Sequence, residues 1–169
     1  MPHHPRWKPS VTVAAVVARL HDGVAQFLLV EEHTPEGLKL NNPAGHLDPG
    51  ESPEEGVVRE VLEETCCPFT PDRIVGFYLS RFQRAATGED VTFLRIAFGG
   101  TVGEPDPYRT LDHGIVRTLW LTRDEVHASR ARHRSPHVLG SIDDYIAGRR
   151  HPLEAITTDA TVYRPDVKR

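Results

Sequence analysis

The feature that most constrains this chain is a set of acidic residues at helical spacing, directly after a turn rich in glycine and proline. Residues 45–64 read GHLDPGESPEEGVVREVLEE. Within this run Glu60, Glu63 and Glu64 lie three and four residues apart, so a helix would place them on one face. Like charges at this spacing destabilise a helix by roughly 0.2–0.5 kcal/mol per pair. A bound cation would remove that repulsion.

The opposite face of the same helix is apolar. It carries Val57, Val58, Val61, Leu62 and Thr65. Because this spacing is typical of a helix packed against a core, the glutamates cannot move apart. Carboxylates held in this way are hard oxygen ligands, which suit Mg²⁺ or Mn²⁺ bound together with waters and substrate phosphates. We therefore predict Mg²⁺ as the cofactor, with Mn²⁺ as the alternative.

The start of the helix has its own local signals. Ser52 can cap it, Pro53 suits the first helical position, and Glu55 completes a Ser-x-x-Glu capping box. These residues predict a helix over residues 53–65. Gly45, at the start of the preceding turn, allows the backbone to approach an ion or a phosphate closely.

These residues resemble a Nudix box, in which a glycine, five residues, a glutamate and seven residues precede Arg-Glu-aliphatic-x-Glu-Glu-x-Gly-aliphatic. The matching positions are Gly45, Glu51, Arg59, Glu60, Val61, Glu63 and Glu64. Cys66 stands where the pattern has its last glycine. A glycine at this position can adopt a left-handed conformation freely, whereas cysteine adopts it only with strain. The departure therefore concerns the end of the helix and not the predicted ligands.

This resemblance to the Nudix family implies an α/β fold, an α/β/α sandwich with a mixed β-sheet between helices. It also implies a metal site built from Glu60, Glu63, Glu64, the Gly45 carbonyl and Glu51, the last acting directly or through water. Arg59 is expected to orient Glu63 through an ion pair, with Glu55 also within its reach. The alternative for Arg59 is a surface pair of little energetic value.

The resemblance implies hydrolysis of phosphoanhydride bonds by a metal-activated water. For the general base we favour a box glutamate, Glu63 or Glu64. Nudix enzymes also use a carboxylate from a distant loop, and the candidates of that kind are Glu104, Asp106 and Asp112. The sequence does not choose between these two sources.

Similarity to NudJ-type phosphatases of this family covers most of residues 10–157. It implies hydrolysis of nucleoside tri- and diphosphates, and of hydroxymethylpyrimidine pyrophosphate, with release of orthophosphate. A pyrophosphatase of nucleotide conjugates, such as ADP-ribose or dinucleotides, is an alternative. A catalytically silent nucleotide-binding module is another, but the three box glutamates are all present. A merely solvated charged helix would call for compensating lysines, and residues 53–65 contain none.

Two arginines on predicted strands, Arg81 and Arg95, are candidates for binding the substrate, since a guanidinium recognises phosphate well. The aromatic residues Tyr78, Phe82 and Phe93 could stack on a base. Aromatic residues on strands more often belong to the core.

The composition of the chain limits the kinds of substrate and the cellular compartment that we expect. The formal net charge of −4 gives no general basic surface, so we expect a small nucleotide or diphosphate substrate and no nucleic-acid polymer. The two cysteines are adjacent and form no secreted-type disulfide framework, and no apolar run is long enough to span a membrane. We expect a cytoplasmic protein. A homodimer is compatible with the family, although no interface can be read from the sequence.

The length predicts one domain over residues 11–157, between a flexible segment, residues 1–10, and a tail, residues 158–169. Apolar patterns and turn signals predict strands at residues 11–19, 26–32, 73–83, 91–99 and 116–121. The first two should form a hairpin, and residues 85–90 should connect another. Gly99 and Gly100 suggest a strand end or a bulge. Thr122 and Glu125 form a second capping box, and a last helix is expected over residues 135–147.

Overall fold

The computed structural model describes residues 7–84 and 87–164. Within these ranges the chain forms seven strands and three α-helices, with three short 3-10 turns. The strands are Ser10–His21 (β1), Val24–Thr34 (β2), Gly37–Asn41 (β3), Ala44–His46 (β4), Phe69–Gln83 (β5), Asp90–Val102 (β6) and Ile115–Thr122 (β7). The helices are Pro53–Thr65 (α1), Arg123–Ala128 (α2) and His137–Ile146 (α3). Parts of three sequence predictions lie outside the described residues: 1–6 of the N-terminal segment, 85–86 of the second hairpin and 165–169 of the tail.

The sheet is mixed, and β1 lies at its centre. The strand order is β3-β2-β1-β6-β5, with β4 paired to β1 and β7 paired to β2. β1 runs parallel to β6 and antiparallel to β2 and β4. The predicted hairpin of β1 and β2 is confirmed, and it turns at Asp22 and Gly23, which both have positive φ angles. A two-residue hairpin turn of this kind favours an Asp-Gly pair.

Helices cover both faces of the sheet because β1 is apolar on both sides. Residues of a strand alternate between faces, and Val13 packs with Val57 and Val61 of α1 in one core cluster. On the other face, Val16 packs in a second cluster with Ile142 of α3. The predicted α/β class, with a mixed sheet between helices, is confirmed. In the part of the chain that the structure describes, no helix is long and apolar enough to cross a membrane.

Helix α1 begins and ends where its local signals predict. The Glu55 N–H donates to Ser52 Oγ (3.1 Å) and the Ser52 N–H donates to Glu55 Oε2 (2.7 Å), which completes the capping box. At the other end Cys66 has a φ of 60° and donates its N–H to the Leu62 carbonyl. Cys66 therefore takes the left-handed conformation of the usual glycine, at a strain of about 1–2 kcal/mol.

The segment before α1 differs from the sequence prediction. The sequence predicted a loop that opens at residues 34–37 and leads to the turn before α1, and this segment contains β3 and β4. β3 has five residues and pairs with β2, whereas β4 has three and pairs with β1. Strands this short carry little periodicity, so their existence depends on pairing with distant residues.

The long hairpin of β5 and β6 also differs in detail. Gly99 and Gly100 do not end β6, which continues to Val102, but they lie opposite an irregularity in β5, because Pro71 pairs with Gly100 and Arg73 with Gly99. The irregularities lie in the partner strand, next to Pro71 and before Gly76. A Cβ at Gly100 would lie 2.3 Å from the Thr70 carbonyl oxygen, so close strand contact explains this glycine. The proline is tolerated because β5 is an edge strand.

The C-terminal elements follow their capping signals. The second capping box is present, since Thr122 Oγ1 and Glu125 exchange hydrogen bonds at the start of α2. The last helix, α3, is shorter than predicted by two residues at its start and one at its end. Helix ends of this kind fray, and α3 has no side-chain cap at Pro136.

We expect Gly23→Ala to lower the free energy of unfolding by about 1–2 kcal/mol, because Gly23 has a φ of 76° in the β1–β2 turn. A Cβ there would have no heavy atom within 4 Å, so only backbone strain is tested. Urea unfolding measures the change. Gly140→Ala is the matched control, since it also meets no atom within 4 Å but lies in α3, where alanine is favoured by up to about 1 kcal/mol. Equal effects of the two substitutions would contradict the prediction.

Candidate functional site

The acidic face of α1 meets strand β4. Glu64 is buried, with 8% of its surface exposed, and its Oε2 accepts a hydrogen bond from the Ala44 N–H (2.9 Å). The Glu60 carboxylate lies directly against Gly45, where an added Cβ would be 2.0 Å from Glu60 Oε1. The glycine at this position is therefore required for the close approach of helix and strand.

Arg59 joins three of the predicted site glutamates. Its Nε and Nη2 donate to the two oxygens of Glu51 at 2.9 and 2.8 Å. Its Nη1 donates to Glu60 (2.7 Å) and to Glu63 (3.1 Å). Nη2 also donates to the His46 carbonyl (3.0 Å), which ties the end of β4 to the helix. One guanidinium thus holds the orientation of three carboxylates.

The predicted contact between Arg59 and Glu63 is present, but the structure shows no role for Glu55 in it. Glu55 instead accepts hydrogen bonds from the Ser52 N–H and from the Tyr163 hydroxyl. The capping box competes for this carboxylate. Glu51 pairs with Arg59 instead. Because Glu51 lies in the turn before the helix, the i, i+4 spacing of helical residues could not predict this pair.

Burial divides these carboxylates into two groups. Burial raises the pKa of Glu64 to about 8, opposed by the Ala44 N–H and reinforced by the charges of Glu60, Glu32 and Asp112. Burial also raises the pKa of Glu60, against the effect of Arg59. The hydrogen bonds from Arg59 lower the pKa of Glu51. Glu60 and Glu64 are therefore the residues whose ionised form a bound cation would stabilise most.

The carboxylates fit a magnesium site in their chemistry, although they do not form a complete cage. Among residues 7–84 and 87–164, no three His, Cys, Asp or Glu side chains are arranged as a preformed metal site. Glu60 and Glu63 each use one oxygen for Arg59, and Glu64 uses one for Ala44, which leaves the second oxygens outside these bonds. Mg²⁺ commonly takes only one or two carboxylates and completes its ligands with waters and substrate phosphates.

The structure separates the two predicted substrate-binding arginines. Arg95, on β6, donates to Asn41 Oδ1 (3.3 Å), and burial lowers its pKa to about 10 against the charges of Glu32 and Glu64. Arg81 lies three residues beyond Tyr78, the strand partner of Arg95, and therefore on the opposite face. There it forms an exposed ion pair with Asp90. Arg95 remains a candidate, whereas Arg81 does not join the acidic residues.

The loop before β7 offers the alternative general bases. The Asp112 N–H donates to the Glu63 carbonyl (2.9 Å), and the Asp112 charge contributes to the raised pKa of Glu64. Asp106 accepts a hydrogen bond from the Tyr108 N–H and forms an ion pair with Arg109. The charge of Glu104 contributes to the raised pKa of Cys67. Of the three loop carboxylates, Asp112 is the one whose charge acts on the acidic face of α1.

The predicted aromatic residues have two different environments. Phe82 and Phe93 stack with their ring centroids 5.6 Å apart, and His46 packs against Phe93 at 5.8 Å. Phe82 is 48% exposed, so these rings form a surface contact near β4 and not a core. Tyr78 packs against His137 at 5.2 Å and donates its hydroxyl to Asp144, so its polar end is already bound.

An open cleft of about 590 Å³ runs along the outer side of α1, bounded by Arg109 and Tyr163. It borders Arg59 and Glu63. Its wall also carries the carboxylates of Glu54 and Glu55, and unneutralised acidic groups repel a polyphosphate. Like the face of α1 next to β4, the cleft would therefore need a bound cation to hold a diphosphate.

Sequence reasoning missed a polar cluster on the other side of Glu64. Four side-chain atoms are buried there or nearby without a hydrogen-bond partner among the described residues: Glu32 Oε1, Asn42 Nδ2, Arg95 Nη1 and His137 Nε2. They come from β2, the segment after β3, β6 and α3. The paired asparagines before Pro43 were the one local signal, because polar residues are unusual at the end of an apolar strand.

Comparison with known proteins agrees with this architecture. Residues 9–140 match the NUDIX domain family. The Phosphatase NudJ of Escherichia coli (strain K12) is 33% identical over 150 residues, which cover 89% of this chain and 92% of that protein. A NUDIX hydrolase from Nitrosomonas europaea is 47% identical with a TM-score of 0.79, covering 90% of this chain and 98% of that one.

A MutT protein from Methanosarcina mazei Go1 shares the fold at a TM-score of 0.61, with 23% identity over 83% of this chain and 96% of that one. Helix α1, which carries the acidic face, lies within the residues that match the family. The chain belongs to the Nudix family, and it is a hydrolase that acts on diphosphate bonds.

Proposed function

We propose that this hydrolase depends on Mg²⁺ and cleaves nucleoside tri- and diphosphates with release of orthophosphate. Hydroxymethylpyrimidine pyrophosphate is a further proposed substrate. The observation that carries the proposal is the hydrogen-bonded array in which Arg59 holds Glu51, Glu60 and Glu63 beside buried Glu64. The similarity to a protein named Phosphatase NudJ, over 89% of the chain, supports the phosphatase reading.

The proposed metal-holding residues are Glu60, Glu63 and Glu64, with the Gly45 carbonyl and with Glu51 acting directly or through water. When bound, Mg²⁺ would supply neutralisation of diphosphate oxygens and activation of a water. Mn²⁺ has similar ligand preferences and is the alternative ion. Arg59 acts as a positioning residue, because its guanidinium binds the carboxylates themselves.

Glu64 is our preferred general base, with Glu63 as the second candidate. The Ala44 N–H holds one oxygen of Glu64 and leaves the second available to accept the proton of an attacking water. Glu63 is more exposed and shares one oxygen with Arg59. Asp112 is the loop alternative, since its charge acts on Glu64.

Hydrolysis of nucleotide conjugates is a second candidate function. The observation that favours it is the open cleft of about 590 Å³ beside Arg59 and Glu63, which has room for a second nucleoside. The products separate the two functions. A phosphatase releases orthophosphate directly, whereas a conjugate pyrophosphatase releases two phosphorylated fragments and no orthophosphate until a phosphatase is added. A homodimer stays a prediction.

We expect Glu64→Gln to lower kcat for orthophosphate release by about 10²–10⁴-fold, the usual contribution of a general acid or base. The measurement is direct orthophosphate release with Mg²⁺ from nucleoside di- and triphosphates, hydroxymethylpyrimidine pyrophosphate, ADP-ribose and dinucleotides. Glu36→Gln, at an exposed turn, is the matched control. Unchanged turnover in the Glu64 variant would exclude the acidic face of α1 as the site.

We expect Gly45→Ala to lower kcat by about 10²-fold, since a displacement near 1 Å at a catalytic group can have that effect. The added Cβ would lie 2.0 Å from Glu60 Oε1, so this carboxylate must move. Gly140→Ala makes the same chemical change where no atom lies within 4 Å, and it should keep full activity. Thermal unfolding shows that both variants are folded. Full activity of Gly45→Ala would mean that Glu60 need not lie against β4.

We expect Mg²⁺ binding to release a proton below about pH 8, because Glu64 is largely protonated in the metal-free protein and must ionise to bind a cation. The association constant should then rise by roughly tenfold per pH unit and level off above the pKa. Calorimetry in buffers of different ionisation enthalpy counts the protons released. Glu64→Gln should remove this release. A wild-type protein that binds Mg²⁺ without proton release would contradict the prediction.

A further inference from the structure

In the polar cluster formed by Glu32, Asn42, Arg95 and His137, one buried polar atom of each residue has no hydrogen-bond partner among the described parts of the chain. Buried polar groups in folded proteins are almost always hydrogen-bonded, because an unpaired group loses its interaction with water without compensation. Asn42 is the clearest case, since only 1% of its surface is exposed. Four such atoms indicate that waters or a ligand complete the cluster.

Contacts between the elements place these residues together under the first turns of α3. Arg95 Nη2 donates to Asn41 at the end of β3. The next residue, Asn42, accepts a hydrogen bond from Ser141 of α3 (3.4 Å). His137 lies four residues before Ser141 and therefore on the same face of the helix. The Arg95 charge also lowers the pKa of His137, after the larger effect of burial.

Glu32 adds an acceptor to this cluster. Its Oε1 lies 3.3 Å from Arg134 Nε, an ion pair without the alignment of a hydrogen bond. The charge of Glu32 acts on both Arg95 and Glu64. The charge of Glu32 therefore acts on the cluster and on the acidic face of α1 alike.

The mixed polarity distinguishes between kinds of ligand. Arg95 Nη1 and Asn42 Nδ2 are donors only, whereas the ionised Glu32 is an acceptor only. A phosphate in the cluster would meet the carboxylate of Glu32, which no proposed cation neutralises and which therefore repels it. A neutral ring with an amino group beside a ring nitrogen offers one donor and one acceptor at adjacent positions. Such a ring satisfies both kinds of unpaired atom.

We propose that Glu32, Asn42 and Arg95 bind the ring of the substrate, and that they select rings with an amino group beside a ring nitrogen over rings with a carbonyl there. Cytosine and adenine belong to the first class, and uracil and hypoxanthine to the second. Glu32 accepts from the amino group, as carboxylates do from cytosine in nucleic-acid recognition, and Arg95 and Asn42 donate to the ring acceptors. The inference rests on the proposed function, because it needs a diphosphate bound at the box glutamates.

Access to the cluster requires a small displacement, since the unpaired atoms are shielded from solvent in the free protein. The first turn of α3 is suited to this movement. Its N-cap residue, Pro136, provides no side-chain hydrogen bond, and His137 at the first helical position packs against the Tyr78 ring at the surface of the sheet.

The test compares matched nucleotide pairs that differ in the amino or carbonyl group, CTP with UTP and ATP with ITP. Measured by orthophosphate release with Mg²⁺, kcat/KM should favour the amino member by at least about tenfold in the wild-type protein. Glu32→Gln should reduce this ratio to about threefold or less, mainly by raising KM for CTP and ATP. Glu36→Gln, in the turn between β2 and β3, is the control and should keep the wild-type ratio.

Equal kcat/KM values within both pairs for the wild-type protein would overturn the inference and leave diphosphate hydrolysis intact. An equal loss for all four nucleotides in Glu32→Gln would also overturn it, because it would mean that the cluster holds ordered water only. If no nucleotide is hydrolysed, the proposed function fails instead. Binding of CMP and UMP, followed by calorimetry, then decides the inference alone: preference for CMP that Glu32→Gln removes supports it, and equal binding refutes it.

Discussion

The site depends on one interaction, the fork of hydrogen bonds from Arg59 to the carboxylates of Glu51, Glu60 and Glu63. Without it, glutamates on one helical face would repel each other and point in several directions. Arginine suits this position because its planar guanidinium presents several donors at set angles, which an ammonium group does not. The carboxylates in turn raise the pKa of Arg59, so the guanidinium stays charged. The same side chain binds the His46 carbonyl, and it therefore sets the distance between α1 and β4.

Glu64 lies outside that fork, and its environment has the opposite effect. Burial, with a smaller contribution from the neighbouring Glu60 charge, raises its pKa to about 8. The ionised form is therefore unfavourable in the free protein, and either a proton or a cation relieves it. Arg59 orients the carboxylates, whereas burial of Glu64 makes binding of a positive charge favourable. A metal and its diphosphate ligand would join these two effects, since the cation neutralises Glu64 and the phosphates complete the cation's ligands.

The sequence predicted α1 closely because its signals are local. Ser52 and Glu55 specify where the helix begins, and a family pattern of contiguous residues placed the glutamates. Pairing between distant segments was not predictable in the same way. β3 and β4 are too short to show a period, and nothing local indicated which side Arg81 or Arg95 would take, since a shift of one residue in strand register exchanges the faces. The sequence also did not show that the capping box, and not Arg59, would bind Glu55, or that Glu51 would take its position beside Arg59.

The same distinction divides the proposed substrate site into two parts of different origin. The part proposed to bind the diphosphate comes from one continuous segment, residues 45–64, and its geometry follows from a turn, a capping box and one arginine. The part proposed to meet the ring comes from β2, the segment after β3, β6 and α3, whose positions depend on long-range packing such as the contact of Asn42 with Ser141. Substitutions in α3 or after β3 can therefore change the preferred ring without altering the residues that carry the chemistry.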